Sequence, residues 1–411
     1  MNTELYIARR LRGSGESKGV MVRIAVATTA VSLAVMIVAV AVIIGFRTEI
    51  TGKITAFTGH LKVQALDYGS GVESVPIAAS PEMAADIARL PGVFSVAPYA
   101  LKMGLVKTDE ATQGMVLKGI DAGYDLSVFR GWLTEGAMPR LDDSVRHKDI
   151  LLSQSVARML RLGVGDRVEM LFMDGERPPR RDRFSVCGLF SSGFGEMDDR
   201  FALVDIANIR RLARWNDVQV TGYEIMIDDV ERLSSTEEAL AEAILPYDTG
   251  EPPLMVRTVV GDFPQVFDWL ATHDVNAAVI ISIMIVVALV SMISALLIIL
   301  LERIRMIGVL KTLGMTDGAL RRVFVLRAAR IAIWGLLLGN VAGIGLALAQ
   351  RTWGFLKLDQ AGYFISRVPI ELGAWWIVTL NVGTLVVLMV VMIFPTGIVS
   401  RISPEKTVRY Q

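Results

Sequence analysis

Residues that build catalytic centres are scarce in this chain, which holds one cysteine, Cys187, and three histidines, His60, His147 and His273. A lone thiol cannot form an internal disulfide. Cys187 sits in the alternating stretch Phe184-Ser-Val-Cys-Gly-Leu, where a small core residue is expected. No cysteine cluster could hold zinc, the histidines are scattered, and there is no His-Glu-x-x-His helix. A glycine-rich phosphate loop is missing as well, since Gly193-Phe-Gly195 lacks both the lysine and the spacing. Asp198-Asp199-Arg200 reads as a solvated turn, because adjacent strand residues point to opposite faces and would not form a carboxylate pair. Charge of one sign is not in excess either: 42 basic residues balance 42 acidic ones, and nothing in that balance points to nucleic acid. No enzyme is expected. Function is expected in binding, in conformational change, or in both.

What the chain has is four long uncharged stretches: Ile24 to Phe46, Val275 to Leu301, Ile331 to Gln350 and Leu372 to Ser400. At about 1.5 Å of rise per residue, about 20 residues match a hydrocarbon core about 30 Å thick. Each stretch can therefore cross a bilayer. The first is expected to remain as a span, because its apolar run exceeds a signal-peptide core and no small-x-small site follows it. Hydrophobic residues make up 53% and mean hydropathy is +0.48, yet 20% of residues are charged, so a large aqueous surface is also required. That surface is expected in residues 47–274, which contain no uncharged run long enough to cross.

Charge position sets the expected topology. The first 23 residues carry Arg9, Arg10, Arg12, Lys18 and Arg23 against Glu4 and Glu16. The loop after the second span carries Arg303, Arg305, Lys311, Arg321, Arg322 and Arg327 against Glu302 and Asp317, and the tail carries Arg401, Lys406 and Arg409. The loop between the third and fourth spans is near balance. Both termini are then expected in the cytoplasm, with residues 47–274 outside. The expected organisation is a cytoplasmic segment 1–23, spans 24–46, 275–301, 331–350 and 372–400, a cytoplasmic segment 302–330, an outer loop 351–371 and a cytoplasmic tail 401–411.

Periodicity within residues 47–274 predicts a mixed α/β domain. Strands are expected at Leu61 to Val63, Gly114 to Ile120, Arg167 to Phe172 and Arg183 to Leu189, and helices at Pro81 to Leu90 and Ser153 to Leu162. Ser80 and Ser153 are the expected caps, Ser80 with Pro81 at the first helical position. Met173 to Arg183 reads as a polar, proline-containing loop. It is either a solvated hairpin tip or a docking finger whose prolines limit the entropy lost on binding and whose arginines meet an acidic partner. Between the second and third spans, Leu301-Glu-Arg-Ile-Arg-Met-Ile-Gly-Val-Leu-Lys-Thr-Leu-Gly-Met-Thr predicts an amphipathic helix, with Glu302, Arg305 and Lys311 opposing a broad apolar face. Thr316 or Asp317 is expected to cap a following helix that runs on into the third span.

At these residues the chain resembles the FtsX-like (MacB-type) permease superfamily of ABC transporters and, within it, the LolC/LolE lipoprotein-releasing permeases. Glu302 to Met315 looks like the superfamily's coupling segment. Narrower marks are Gly45-Phe-Arg-Thr-Glu-Ile, Thr58-Gly-His-Leu, Phe184 to Phe194 with Asp198, and Leu358-Asp through Tyr363 to Val368-Pro369. Ser403-Pro-Glu-Lys-Thr-Val-Arg-Tyr is similar to the superfamily's closing pattern. The resemblance implies a membrane protein with four transmembrane α-helices and a large mixed α/β periplasmic domain inserted between helices 1 and 2, in the bacterial inner membrane. It implies two such permease subunits, this chain with itself or a homologue, and two copies of a LolD-type ATPase. It also implies transfer of triacylated lipoproteins to a LolA-type periplasmic carrier. ATP and Mg would be bound by the ATPase, and no cofactor by this chain.

The same resemblance assigns candidate residues. Glu302, Arg303, Arg305, Met306, Ile307, Gly308, Lys311, Leu313 and Gly314 would dock in a groove on the ATPase. Extracting acyl chains costs about 0.8 kcal/mol per exposed methylene, so an energy source and an apolar cavity are both needed. Val40, Ile43, Ile44 and Phe46, with Phe263, Val266, Phe267 and Leu270, are expected to line that cavity among membrane lipids, and Tyr363 and Phe364 to stand at its rim. Arg177, Pro178, Pro179 and Arg180 stand where the family carries a carrier-gripping hook, here shorter. Two other readings stay open: a MacB-type mechanotransmitter driving a periplasmic efflux or secretion partner, and an FtsX-like regulator of cell-wall hydrolases.

Overall fold

The computed structural model describes residues 16–67, 75–108, 111–142, 145–174, 177–249, 252–302, 304–358, 365 and 367–396. The chain order is α1 (Glu16–Thr58), β1 (Leu61–Ala65), β2 (Ile77–Ala78), α2 (Pro81–Ala88), β3 (Val93–Lys107), β4 (Thr112–Ile120), α3 (Ser127–Trp132), β5 (Leu133–Gly136) and β6 (Asp149–Ser153). Next come α4 (Gln154–Leu160), β7 (Arg167–Asp174), β8 (Arg177–Phe190), α5 (Gly195–Arg200), β9 (Phe201–Asp205), α6 (Ile206–Ala213), β10 (Gln219–Val220), β11 (Gly222–Ile227), α7 (Leu233–Ile244) and β12 (Leu254–Thr258). The chain continues with α8 (Val259–Asp262), α9 (Pro264–Glu302), α10 (Ile304–Thr312), α11 (Asp317–Trp353) and α12 (Ala374–Thr396). Two compact units result, a helical one of Met1–Arg47, Trp269–Lys357 and Arg367–Gln411, and a sheet-containing one of Thr48–Asp268 and Leu358–Ser366.

Among the described residues, the stretches Val22–Thr58, Pro264–Glu302, Asp317–Trp353 and Ala374–Ile393 are long and apolar enough to cross a membrane. Phe46 ends the first apolar run but not the helix. Arg47, Glu49 and Lys53 interrupt the apolar pattern, yet α1 continues to Thr58, with Lys53 paired to Glu49 at 3.0 Å one turn apart. The second long helix likewise starts at Pro264, well before the uncharged run.

Close packing of α1 on α11 rests on small residues. A Cβ on Gly335 would lie 2.7 Å from Thr29 Cβ, one on Gly339 2.8 Å from the Ala30 carbonyl oxygen, and one on Gly343 3.0 Å from Ala34 Cα. Three glycines at four-residue spacing thus let two helices meet backbone to backbone. Between α11 and α12, Asn340 and Asn381 exchange amide hydrogen bonds of 2.7 and 3.0 Å, and each also donates to its own helix at 2.8 Å. Both amides therefore have partners within an apolar stretch, as an environment without water requires. Met292 and Leu296 of α9, Phe324 of α11 and Met392 of α12 complete the core.

In the sheet-containing unit, strands pair in the order β12-β1-β11-β3-β4-β9-β6-β8-β5, and β7 pairs both β3 and β8. Pairing therefore closes on itself through β3, β4, β9, β6, β8 and β7. The long strand β3 makes this possible: Val93 to Tyr99 pair with β11, while Leu105 and Val106 pair with β7. One strand serves an open sheet at one end and a closed ring at the other, which leaves the ring without an open edge. Ser80 and Ser153 cap α2 and α4 as expected, each hydroxyl accepting a backbone N–H at 3.2 Å.

Two expectations fail here. Met173 to Arg183 is not one continuous loop; Arg167–Asp174 and Arg177–Phe190 are strands, paired antiparallel from Arg167↔Ser185 to Asp174↔Arg177. The register slips between Phe172 and Asp174. Such a bulge lets Pro178 and Pro179, which have no N–H to give, sit within a strand. Asp198 is not in a solvated turn. It lies in α5, 4% exposed, where its carboxylate accepts from the Ser192 N–H at 3.2 Å and the Ser192 hydroxyl at 2.5 Å. Burial raises its pKa against those bonds.

Candidate functional site

The helical unit contains a shallow apolar cleft lined by Ile37, Val40, Ala41 and Ile44 of α1 and by Trp376, Ile377 and Leu380 of α12. Glu371, Leu372 and Gly373 edge it. Spacing of three, four and seven residues places the α1 side chains on one helical face. The chain before α12 reaches α1 because Gly45 has no side chain: a Cβ there would lie 2.7 Å from the Pro369 carbonyl oxygen. The Glu371 N–H donates to the Ala41 carbonyl at 3.0 Å. From the other side, buried Gln350 at the end of α11 donates to the carbonyls of Leu356 and Val368 at 3.1 and 3.2 Å and accepts the Leu356 N–H at 2.9 Å. Gly354, with φ of +56°, closes α11 in the left-handed conformation that glycine adopts without strain. The chain is thus held to α11 at Leu356 and Val368 and to α1 at Glu371, and Glu371 to Gly373 form one wall of the cleft.

Of the expected cavity residues, Val40 and Ile44 line this cleft and Ile43 does not. Phe46 is buried and engaged, its ring 5.8 Å from Trp269 and stacked on His273 at 6.0 Å. Leu270 and Val266 are buried, Phe263 and Phe267 half-buried, and none of the four lines the cleft. Tyr363 and Phe364 lie outside the described residues. Ile37, Ala41, Trp376, Ile377 and Leu380 were not anticipated. Their helical spacing with Val40 and Ile44 was readable, but which face of α1 meets α12 was not. Exposed Trp353 and Trp375, at 78% and 75%, stand near the same ends of α11 and α12, as amphipathic rings do at a membrane interface.

The second candidate is α10. Ile307 is fully buried with Leu320 and Phe324 of α11, Met306 packs on Val323, and Gly308 is buried. That apolar face therefore covers the bundle's own helices. Lys311 pairs with Asp317 at 2.9 Å and is mostly buried, so its charge is neutralised locally. Exposed on α10 are Val309 and Thr312, with Glu302 just before the helix and Leu313, 77% exposed, and Gly314 just after it. Gly314 has φ of +86° and turns the chain, and Thr316 caps α11 by accepting the Ala319 N–H at 3.4 Å. Arg303 lies outside the described residues, as does the closing segment after Thr396, and nothing is assigned to the Arg305 side chain.

Where β7 and β8 pair, exposed Pro178 and Pro179 follow Arg177, which opens the second strand. Arg180 donates to the Leu212 and Arg211 carbonyls at 3.1 and 3.4 Å, where α6 ends and cations are favoured. Farther along, Arg183 and Arg181 pair with Glu169 at 2.9 and 3.4 Å, and Arg183 chiefly holds that carboxyl below its ordinary pKa. Arg180, Arg181 and Arg183 thus have internal acidic or carbonyl partners.

Comparison with known proteins gives two family matches: a MacB-like periplasmic core domain over residues 24–243 and an FtsX-like permease C-terminal region over residues 278–404. The chain is 24% identical to a lipoprotein-releasing system transmembrane protein LolC of Xylella fastidiosa, covering 93% of this chain and 92% of that one. It is 21% identical to the LolE counterpart of Haemophilus influenzae, covering 99% of each. The periplasmic region of MacB from Actinobacillus actinomycetemcomitans matches at 15% identity and a TM-score of 0.34, covering 52% of this chain and 95% of that one.

Proposed function

Because the chain belongs to the MacB-like periplasmic core domain family and carries an FtsX-like permease C-terminal region, we propose that it is the membrane subunit of a lipoprotein-releasing ABC transporter. The observation that carries this reading is the extent of the likeness: nearly the whole chain, helices and sheet unit together, aligns with lipoprotein-releasing LolC. In this reading the four apolar helices cross the bacterial inner membrane. The sheet-containing unit stands in the periplasm between the first and second spans, and both termini are cytoplasmic, as the basic flanks dictate.

The chain brings no phosphate loop, so a LolD-type ATPase supplies ATP hydrolysis and binds the nucleotide and Mg. It docks on the exposed surface of α10 around Val309, Leu313 and Gly314, with Glu302 at the edge. A second permease, another copy or a homologue, completes the membrane part. The apolar cleft between α1 and α12 accepts acyl chains of a triacylated lipoprotein on their way to a LolA-type carrier. Its position supports that role, since an acyl chain leaving the outer leaflet needs apolar contact up to the headgroup level.

Ile44→Asp tests this. A carboxylate there costs about 2.5–3.5 kcal/mol within an apolar span and leaves no room for a methylene chain to lie dry. Mature lipoproteins are expected to accumulate in the inner membrane while the chain remains present and bound to its ATPase. Unaltered lipoprotein sorting at normal chain abundance would remove the cleft from the pathway.

A further inference from the structure

Where α1 ends inside the sheet-containing unit, its last carbonyls meet a buried, charged constellation. Lys118 of β4 is 0% exposed and Glu224 of β11 is 4% exposed. The Lys118 ammonium donates to Glu224 Oε2 at 2.5 Å, to the Phe57 carbonyl at 2.7 Å and to the Tyr124 hydroxyl at 2.8 Å. That uses all three donors of an ammonium group. The Tyr124 hydroxyl in turn donates to the Ala56 carbonyl at 3.2 Å. Two of the carbonyls left over at the end of α1 are therefore satisfied by side chains of the sheet unit. The positive charge also lies where the helix dipole is negative.

Around the same turn, the Phe57 ring packs within 5.1 to 5.9 Å of Phe129, Trp132, Phe190 and Phe201. Ile54 and Ile50 are fully buried one and two turns earlier. The grip comes from both halves of the sheet. Lys118 belongs to the closed ring and Glu224 to the open sheet, on either side of β3.

Burial opposes the charge on Lys118 and lowers its pKa, with Glu224 acting against that. An ion pair removed from water is a poor way to gain stability, since apolar side chains of similar volume do as well or better. What such a constellation supplies is a single geometry, because each donor has one acceptor at a fixed place.

We propose that Lys118, Glu224 and Tyr124 are positioning residues that lock the last turn of α1 to both halves of the sheet. A shift between ring and open sheet then acts on the end of α1, a helix unbroken from Glu16 to Thr58. This rests on the transport reading above, because the movement handed on is the one that empties the cleft. The joint acts on helix position and does not touch the cargo.

The test uses the full chain with its ATPase and second permease in proteoliposomes, supplied with a triacylated lipoprotein and the carrier. Lys118→Met with Glu224→Leu replaces the ion pair by apolar side chains of similar size. The expected result is an unchanged unfolding midpoint, faster amide exchange over Ile54–Thr58, and a several-fold drop in lipoprotein released per ATP hydrolysed. Wild-type release per ATP in that variant overturns the joint, and so does a drop that merely follows a lowered unfolding midpoint. If the double variant does not accumulate, Tyr124→Phe, which removes only the hydroxyl, is expected to show the same split between ATP use and release at a normal midpoint. Unchanged release there also overturns the proposal. Failure of the wild-type assembly to release any lipoprotein would instead refute the transport reading and leave the exchange measurement to judge the joint.

Discussion

Replacing Gly339 with alanine tests the close packing of α1 on α11. The added Cβ would sit 2.8 Å from the Ala30 carbonyl oxygen and 2.9 Å from Leu33 Cβ, whereas ordinary contact begins near 3.4 Å. The helices must part by roughly half an ångström, or strain must be absorbed locally, at about 1–3 kcal/mol for overpacking. Alanine also favours the helix over glycine by about 1 kcal/mol, which offsets part of that cost. Gly345, on the same helix, separates the two effects, because a Cβ there meets nothing within 4 Å. Gly345→Ala should keep the helix gain alone, so the difference between the two variants is the packing cost of about 1–3 kcal/mol. The assay is reversible unfolding of the full chain in mixed micelles, followed by helical ellipticity. Equal shifts for the two variants would refute close packing through this glycine row.

Two further outcomes follow from local geometry. His60 is buried and its pKa is lowered to about 4, below its ordinary 6.5, because burial disfavours the imidazolium. Its Nδ1 accepts the Ile227 N–H at 3.3 Å, which requires the neutral ring. Above pH 6.5 the group contributes no pH dependence. As pH falls from 6.5 towards 4 the unfolded chain takes a proton that the folded one refuses, so about 3 kcal/mol of stability is lost. Unfolding midpoints measured between pH 7 and 4 should show this loss, and His60→Gln should flatten that part of the curve. At α10, Gly308→Pro removes a backbone donor and clashes with the preceding turn, at about 3 kcal/mol. Co-purification of the ATPase should be lost while the sheet-containing unit stays folded by near-ultraviolet dichroism; persistent association would move the docking surface elsewhere.

Local signals were the legible ones. Ser80, Ser153 and Thr316 announce helices because a cap acts on an N–H only three residues away, and the strands around Leu61, Gly114 and Arg167 alternate over short windows. Hydropathy located the apolar part of α1 but not its end. The Glu49–Lys53 pair and the buried Ile50, Ile54 and Phe57 carry the helix past the last uncharged residue. Pro178 and Pro179 spelled a loop, and pairing with β7 overrode that spelling through a bulge. Lys118 and Glu224 were invisible as a pair because 106 positions separate them and each looks like a solvated charge in its own strand. The cleft was half legible: Val40 and Ile44 announce an apolar face, whereas the approach of α12 depends on Gly45 meeting Pro369 across the fold.

The most direct measurement of lipoprotein release is of what the chain carries in its own membrane. The tagged chain is extracted gently and its companions are identified by mass spectrometry. An ABC ATPase recovered together with triacylated lipoproteins is the expected result. An ATPase recovered with a periplasmic adaptor or an outer-membrane channel, and with no lipoprotein, would contradict it.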